Sequence, residues 1–149
     1  MKTFWLWTII PFSLFVKSPD FELLSSSVKN WTGGMQGTGG GRNYRIELVV
    51  KHSSNKLIFS ELLLPENQLE IKIIKNDLVS KEITFSKGDT VIITASERIL
   101  PDYKKEKALL QYDIKIDEGS AVLVYRKRKK EKFFDIEAFE NSKSKNYKK

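Results

Sequence analysis

The chain has 149 residues, 40% of them hydrophobic and 30% charged, which is enough apolar sequence for one domain with its own core and too little for two. It contains no cysteine and a single histidine, His52. Disulfides, thiolate metal sites and a lipid-modified cysteine are thereby excluded, and the ligands for a zinc site of the usual kind are lacking, so no metal or other cofactor is expected. The formal charge of +7 is unevenly placed: ten Lys/Arg against four Asp/Glu lie between Arg126 and Lys149, while residues 1 to 125 carry 16 against 15. The basicity belongs to the C-terminal end rather than to a domain face, which argues against nucleic acid as a partner.

The N-terminus reads as an export signal. Met1-Lys2 gives a positive start, and Phe4 to Val16 supplies about a dozen largely apolar residues, the length of a signal h-region. That run is short of the roughly 20 residues needed to span a bilayer, and Pro11 and Lys17 interrupt any extension. A small-x-small cleavage site is missing, since Pro19 follows Val16-Lys-Ser18. Residues 1 to 18 are therefore predicted to be a signal peptide or N-terminal anchor, with a buried N-terminal strand as the other alternative, and the setting is extracytoplasmic. Residues 19 to 29 read as a transition segment.

Six of the eight glycines fall between Gly33 and Gly41, just before the first clear strand. There Tyr44, Ile46, Leu48 and Val50 alternate with Arg45, Glu47 and Lys51 in the period of a half-buried strand. Lys56 to Leu64 is a denser apolar stretch closed by Pro65 and predicts a more central strand, and Leu69, Ile71 and Ile73 alternate again. Lys81 to Ser86 and Thr90 to Ala95 flank Ser86-Lys-Gly-Asp89 as a hairpin, and Ala108 to Ile116 pairs with Ser120 to Tyr125 through Asp117-Glu-Gly119. Lys132 to Ile136 makes a last strand, with Glu137 to Glu140 open between more strand and one helical turn. Residues 141 to 149 read as a disordered basic tail.

No segment shows a sustained helical period. About seven or eight short strands separated by turn residues predict an all-β fold over residues 30 to 140, an antiparallel β-sandwich or, alternatively, a small open β-barrel.

The glycine run does not match a phosphate loop: Arg42 stands where a dinucleotide fingerprint beginning at Gly37 needs glycine, no P-loop lysine follows, and the next element is a strand. It reads as a structural connection, or as a ligand loop formed by Trp31, Gly37, Gly39, Gly40, Arg42 and Tyr44, whose two aromatics suit stacking on sugar or peptide. The run Arg126, Lys127, Arg128, Lys129 and Lys130 is either a charged hairpin tip that discourages edge pairing or a polyanion site. Catalytic residues are not expected. His52 beside Ser53 and Ser54 lacks a nucleophile elbow, and Asp113, Asp117 and Glu118 lack the order of a calcium loop. A carboxylate pair set by spatial separation stays open, with nothing in the sequence promoting one.

Trp31-Thr-Gly-Gly with the glycine run through Asn43-Tyr44, Lys87-Gly-Asp-Thr-Val-Ile-Ile-Thr-Ala95, and Phe133-Phe-Asp-Ile-Glu-Ala-Phe139 together resemble a group of small, exported, uncharacterised β-rich proteins of Bacteroidota-type bacteria. The resemblance spans roughly Trp31 to Phe139. It implies a bacterial envelope setting, which makes the sequon Asn30-Trp-Thr32 irrelevant, and it carries no activity over to any residue. Lipoprotein anchoring, frequent in that group, does not transfer to a chain without cysteine. The resulting expectation is a non-enzymatic envelope protein with a binding or scaffolding role toward a glycan, polyanion or protein. The alternative is a carbohydrate- or polyanion-binding module using the glycine-loop aromatics or the basic hairpin. Contact with a membrane is expected only through an uncleaved N-terminal segment.

Overall fold

A computed structural model describes residues 20–33, 39–54, 57–75, 78–79, 84–100 and 112–142. Nine strands are present among them: β1 (Phe21–Thr32), β2 (Gly40–Val50), β3 (Leu57–Leu63), β4 (Gln68–Lys75), β5 (Leu78–Val79), β6 (Thr90–Ile99), β7 (Ala121–Lys127), β8 (Lys130–Ile136) and β9 (Glu140–Asn141). They form one curled sheet, a half-barrel ordered β8-β7-β3-β4-β6-β2-β1-β9, with β5 added to β4. The all-β expectation holds. Of the two expected architectures the strands follow the open barrel, because β4 pairs with β3 through Gln68 to Glu70 and with β6 through Ile71 to Ile74, joining both halves into one ladder.

The alternating residues face the inside of the curl. Tyr44, Ile46, Leu48 and Val50 of β2, Ile71 and Ile73 of β4, and Val91, Ile93 and Ala95 of β6 are all buried there. Two bulges reset the parity of longer strands. In β1 the register shifts between Leu23 and Ser25, so Phe21 and Ser26 both point inward while Leu24 is left 53% exposed. In β3 the shift between Phe59 and Glu61 lets Phe59 and Leu62 share the inner face.

The segment 19 to 29, expected as a transition, is mostly strand: β1 is the longest in the fold and pairs along its whole length with β2. Its polar Ser25-Ser-Ser27 hid it from a hydrophobic pattern. The turn at Ser86 to Asp89 forms as expected, with Gly88 at φ 91°. Its first flank lies largely outside the described residues, and Phe85 makes only one antiparallel bridge, to Ser54. Gly119 likewise turns at φ 83°. Residues 113–117 before it are not strand, however, and 101–111 lie outside the described residues. Tyr112, Ile114 and Ile116 instead lie across the outer face of β3 and β7, against Leu63, Val122 and Val124. With both faces covered, Ala121 to Tyr125 are all buried, which is why β7 reads as an unbroken apolar run.

After β8 the chain crosses the open side of the curl. Glu137 to Phe139 are neither helix nor strand, Ala138 accepts a 2.6 Å bond from Ser26 Oγ, and Glu140–Asn141 pairs parallel to β1 at Ser27 and Val28. Asn141 and Ser142, expected in the disordered tail, are instead held against β1, the Ser142 amide donating to Val28 O at 3.0 Å. Residues 143–149 lie outside the described part.

Candidate functional site

The glycine run closes the β1–β2 hairpin. Gly39 turns at φ 73° and its carbonyl accepts from the Gly33 amide at 2.8 Å; Gly37 lies outside the described residues. Gly40 and Gly41 serve close packing. A Cβ on Gly40 would stand 2.6 Å from Trp31 O, and one on Gly41 would overlap the Glu97 carbonyl and lie 2.7 Å from the Trp31 indole. Trp31, opposite Gly41 in the ladder, lays its ring across that bare backbone on the outer face. Arg42 and Tyr44 carry the parity of Ile46 and face inward. The two aromatics that bracket the loop thus stand on opposite sides of the sheet, and the structure does not bring Trp31 into one site with Tyr44.

Arg42 and Tyr44 line an open cleft of about 630 Å³ at the end of the curl where β2 begins and β6 ends. Its floor is Glu97, 5% exposed, which takes the inward position after Val91, Ile93 and Ala95 on β6. The Tyr44 hydroxyl donates to Glu97 Oε2 at 3.2 Å, and Asn67, held in the β3–β4 turn by the Leu64 amide bonding Asn67 O at 2.7 Å, donates its amide to Glu97 Oε1. Burial raises the Tyr44 pKa; a hydrogen bond from Arg42 works against that rise, and the Glu97 charge adds to it. The phenol therefore remains a protonated donor. Phe139 meets the Tyr44 ring edge to face at 5.2 Å, and Asn30, Asn141, Glu66, Glu118 and Ser120 form the rim. Among the described residues the lining holds one cation, Arg42, against the three carboxylates Glu66, Glu97 and Glu118. It carries a surplus of negative charge and many hydrogen-bonding groups that both donate and accept.

The opposite end holds a second polar cluster. Asp20, 8% exposed, accepts from Tyr125 Oη and Lys132 Nζ, each at 2.8 Å, and from Lys127 Nζ. Burial alone would raise its pKa, but the bonds from Lys127, Lys132 and Tyr125 outweigh this and hold the carboxyl well below the usual range. Burial and the Asp20 carboxylate in turn push the Tyr125 phenol up.

Lys127 and Lys132 sit on the two strands of the basic hairpin, which Asp20 staples just below its turn. Lys127 is thereby turned inward, whereas Arg126, Arg128, Lys129 and Lys130 are exposed. Arg126 pairs in the ladder with Glu131. Arg128 and Lys129 form a two-residue loop with φ of 51° and 68°, the left-handed pair of a type I′ turn. That conformation favours Asn-Gly and costs other residues roughly 1–2 kcal/mol each.

The sequence pattern placed Arg42 and Tyr44 at a site but missed Glu97, Asn67 and Asp20. Glu97 had a readable signal, a charge on the apolar phase of an alternating strand. Asn67 and Asp20 had none, because their partners lie 30 residues and more than 100 residues away. Comparison with protein-family models, curated proteins and solved structures finds no match to this chain.

Proposed function

We propose that this chain is a non-enzymatic, extracytoplasmic binding protein of the bacterial envelope, and that its end cleft takes a neutral polyhydroxylated ligand, a short glycan. The buried Glu97, fixed by Tyr44 and Asn67 at the floor of the cleft, carries the reading. A sugar hydroxyl both donates and accepts, and it suits a lining that mixes carboxylates, amides, a hydroxyl and a guanidinium beside the edges of two aromatic rings. Three carboxylates against Arg42 disfavour an anionic ligand there, which separates the carbohydrate reading from the polyanion one. Both Glu97 oxygens already accept from protein donors, an arrangement suited to holding a group in place rather than to shuttling a proton. The apolar N-terminal run and the resemblance to exported β-rich proteins support the compartment.

Calorimetric titration of the full chain with neutral oligosaccharides tests this. Binding is expected, weakened about five-fold or more in Tyr44→Phe, which removes one hydrogen bond of about 1 kcal/mol from the cluster. No neutral glycan bound, or one bound equally by Tyr44→Phe and Arg42→Gln, would refute the assignment. Mass spectrometry of the native N-terminus in cell fractions tests the compartment, and recovery of the chain in the cytoplasm would overturn it.

A further inference from the structure

We propose that residues 137–142 are a latch on the end cleft, which opens by lifting off β1 about a pivot at Ile136 while the rest of the half-barrel stays folded. The proposal concerns how a ligand reaches the cleft and rests on the binding role proposed above; the motion itself belongs to the free chain and is measured there.

Three observations carry it. First, the sheet does not need the segment. Its ladder runs unbroken from β8 to β1, and residues 137–142 bridge the open side between those two edges, with β9 added to β1 through Ser27↔Glu140 and Val28↔Asn141. That pairing is parallel, the weaker kind per residue. Second, the attachment is slight. Among the described residues the segment is held by those two pairs, the 2.6 Å bond from Ser26 Oγ to Ala138 O, the Ser142 amide on Val28 O and the Phe139 ring. Phe139 alone of the six residues is half-buried and the other five are exposed, whereas Ile136, where the segment begins, is fully buried at the end of β8 and fixes the pivot. Segments with few buried apolar contacts and exposed backbone bonds open at a lower free energy than the core they lie on.

Third, the segment is a wall of the site. Phe139 and Asn141 line the cleft together with Arg42, Tyr44, Asn67 and Glu97. The Phe139 ring meets Tyr44 edge to face at 5.2 Å, and the Tyr44 hydroxyl in turn bonds Glu97 at 3.2 Å. Closed, the latch covers part of the Tyr44 ring and steadies the phenol on the carboxylate. Open, it leaves the floor on β2 and β6 in place and removes one wall. A weakly attached segment thus borders the binding surface, an arrangement suited to a gate and not to a brace. A ligand that touches both the sheet and Phe139 or Asn141 binds the closed form better and shifts the population toward it.

Hydrogen exchange of the full chain, without ligand, tests the opening. The Ser142 amide, bonded to Val28 O, should exchange about 100-fold or more faster than the amides of β2 and β6. Leu48→Ala weakens the core, which is intact in both the closed and the open form, so it should speed the β2 and β6 amides about 30-fold or more and leave Ser142 unchanged. Nitration by tetranitromethane tests access to the floor, because the Tyr44 ring is 6% exposed and lies against Phe139. The chain has no cysteine, and Ser27 and Glu140 are ladder partners, about 4.8 Å apart and so within the Cα range of a disulfide. They alternate with the cleft-lining Val28 and Asn141, so cross-linked Ser27→Cys/Glu140→Cys locks the latch and leaves the lining unchanged. Tyr44 should be nitrated about ten-fold more slowly in the locked chain than in wild type, and about ten-fold faster in Phe139→Ala. Tyr125, bonded to Asp20 at the opposite end, should react alike in all three. Melting curves and intact masses verify that the variants fold and that the cross-link has formed. Ser142 exchange as slow as that of β2 and β6, or speeded equally by Leu48→Ala, would overturn the proposal. So would equal nitration of Tyr44 in the locked and wild-type chains, or in Phe139→Ala and wild type. None of these readouts involves a ligand, so a failure of glycan binding refutes the ligand assignment and leaves the latch standing.

Discussion

Asp20→Asn is the sharpest probe of how the half-barrel is held at its N-terminal end. The substitution keeps the shape of a side chain that is only 10% exposed but removes the charge to which Lys127, Lys132 and Tyr125 donate. Hydrogen bonds to a charged group contribute about 1.5–3 kcal/mol each when fully desolvated. Lys127 and Lys132 keep 20% and 33% of their side-chain surface, so water screens both pairs and each ammonium can reach solvent once its partner is gone. The asparagine carbonyl still accepts from Tyr125. The net loss at pH 7 should then be about 2–3 kcal/mol, below the 3–5 kcal/mol typical of breaking a fully buried pair. For a domain of about 100 residues this lowers Tm by roughly 10 °C.

The pH dependence has a definite sign. The folded carboxyl is depressed, so its contribution is complete above the ordinary carboxylate pKa near 4 and is lost as pH falls through its lower folded value. Urea unfolding from pH 7 to pH 2 should show the gap between wild type and Asp20→Asn full at neutral pH and narrowing below about pH 4. A gap under about 0.5 kcal/mol at pH 7, or one that widens on acidification, would refute the reasoning.

Two further substitutions test the packing of the sheet. Gly41→Ala forces a methyl against the Glu97 carbonyl and the Trp31 ring and should cost about 2–3 kcal/mol in urea unfolding; Trp31→Ala added to it should recover only part, since the backbone contact remains. An unchanged midpoint in Gly41→Ala would mean that Trp31 does not lie on β2. Ile71→Ala, at an inner position 3% exposed, should cost roughly 2–5 kcal/mol, and an unaltered Tm would overturn the facing assigned to β4.

The legibility of the fold followed the strength of local patterning. β2, β4 and β6 were readable because one face of each is buried and the other wet, so burial imposes a period of two on adjacent residues. β1 was not readable: a bulge reverses its parity at Leu24, and its middle is three serines, one of which is buried to bond Ala138 O from the far side of the curl. Residues 112–117 mislead a local pattern because Ile114 and Ile116 alternate like a strand while in fact covering the outside of one. At the site, a loop flanked by aromatics drew attention to Trp31 and Tyr44 together. Their spacing of 13 residues across a hairpin puts them on opposite faces, a parity that depends on where the loop turns.

By itself, then, the sequence determined the class of fold, its tight turns and the phase of its better strands, because each of these is set by neighbouring residues through backbone conformation and local burial. Tertiary structure alone decided that the strands join in one curled sheet, that Glu97 meets Tyr44 and Asn67, and that Asp20 ties the start of the domain to a hairpin more than 100 residues later. Those contacts depend on strand order and curl, which no local spacing encodes.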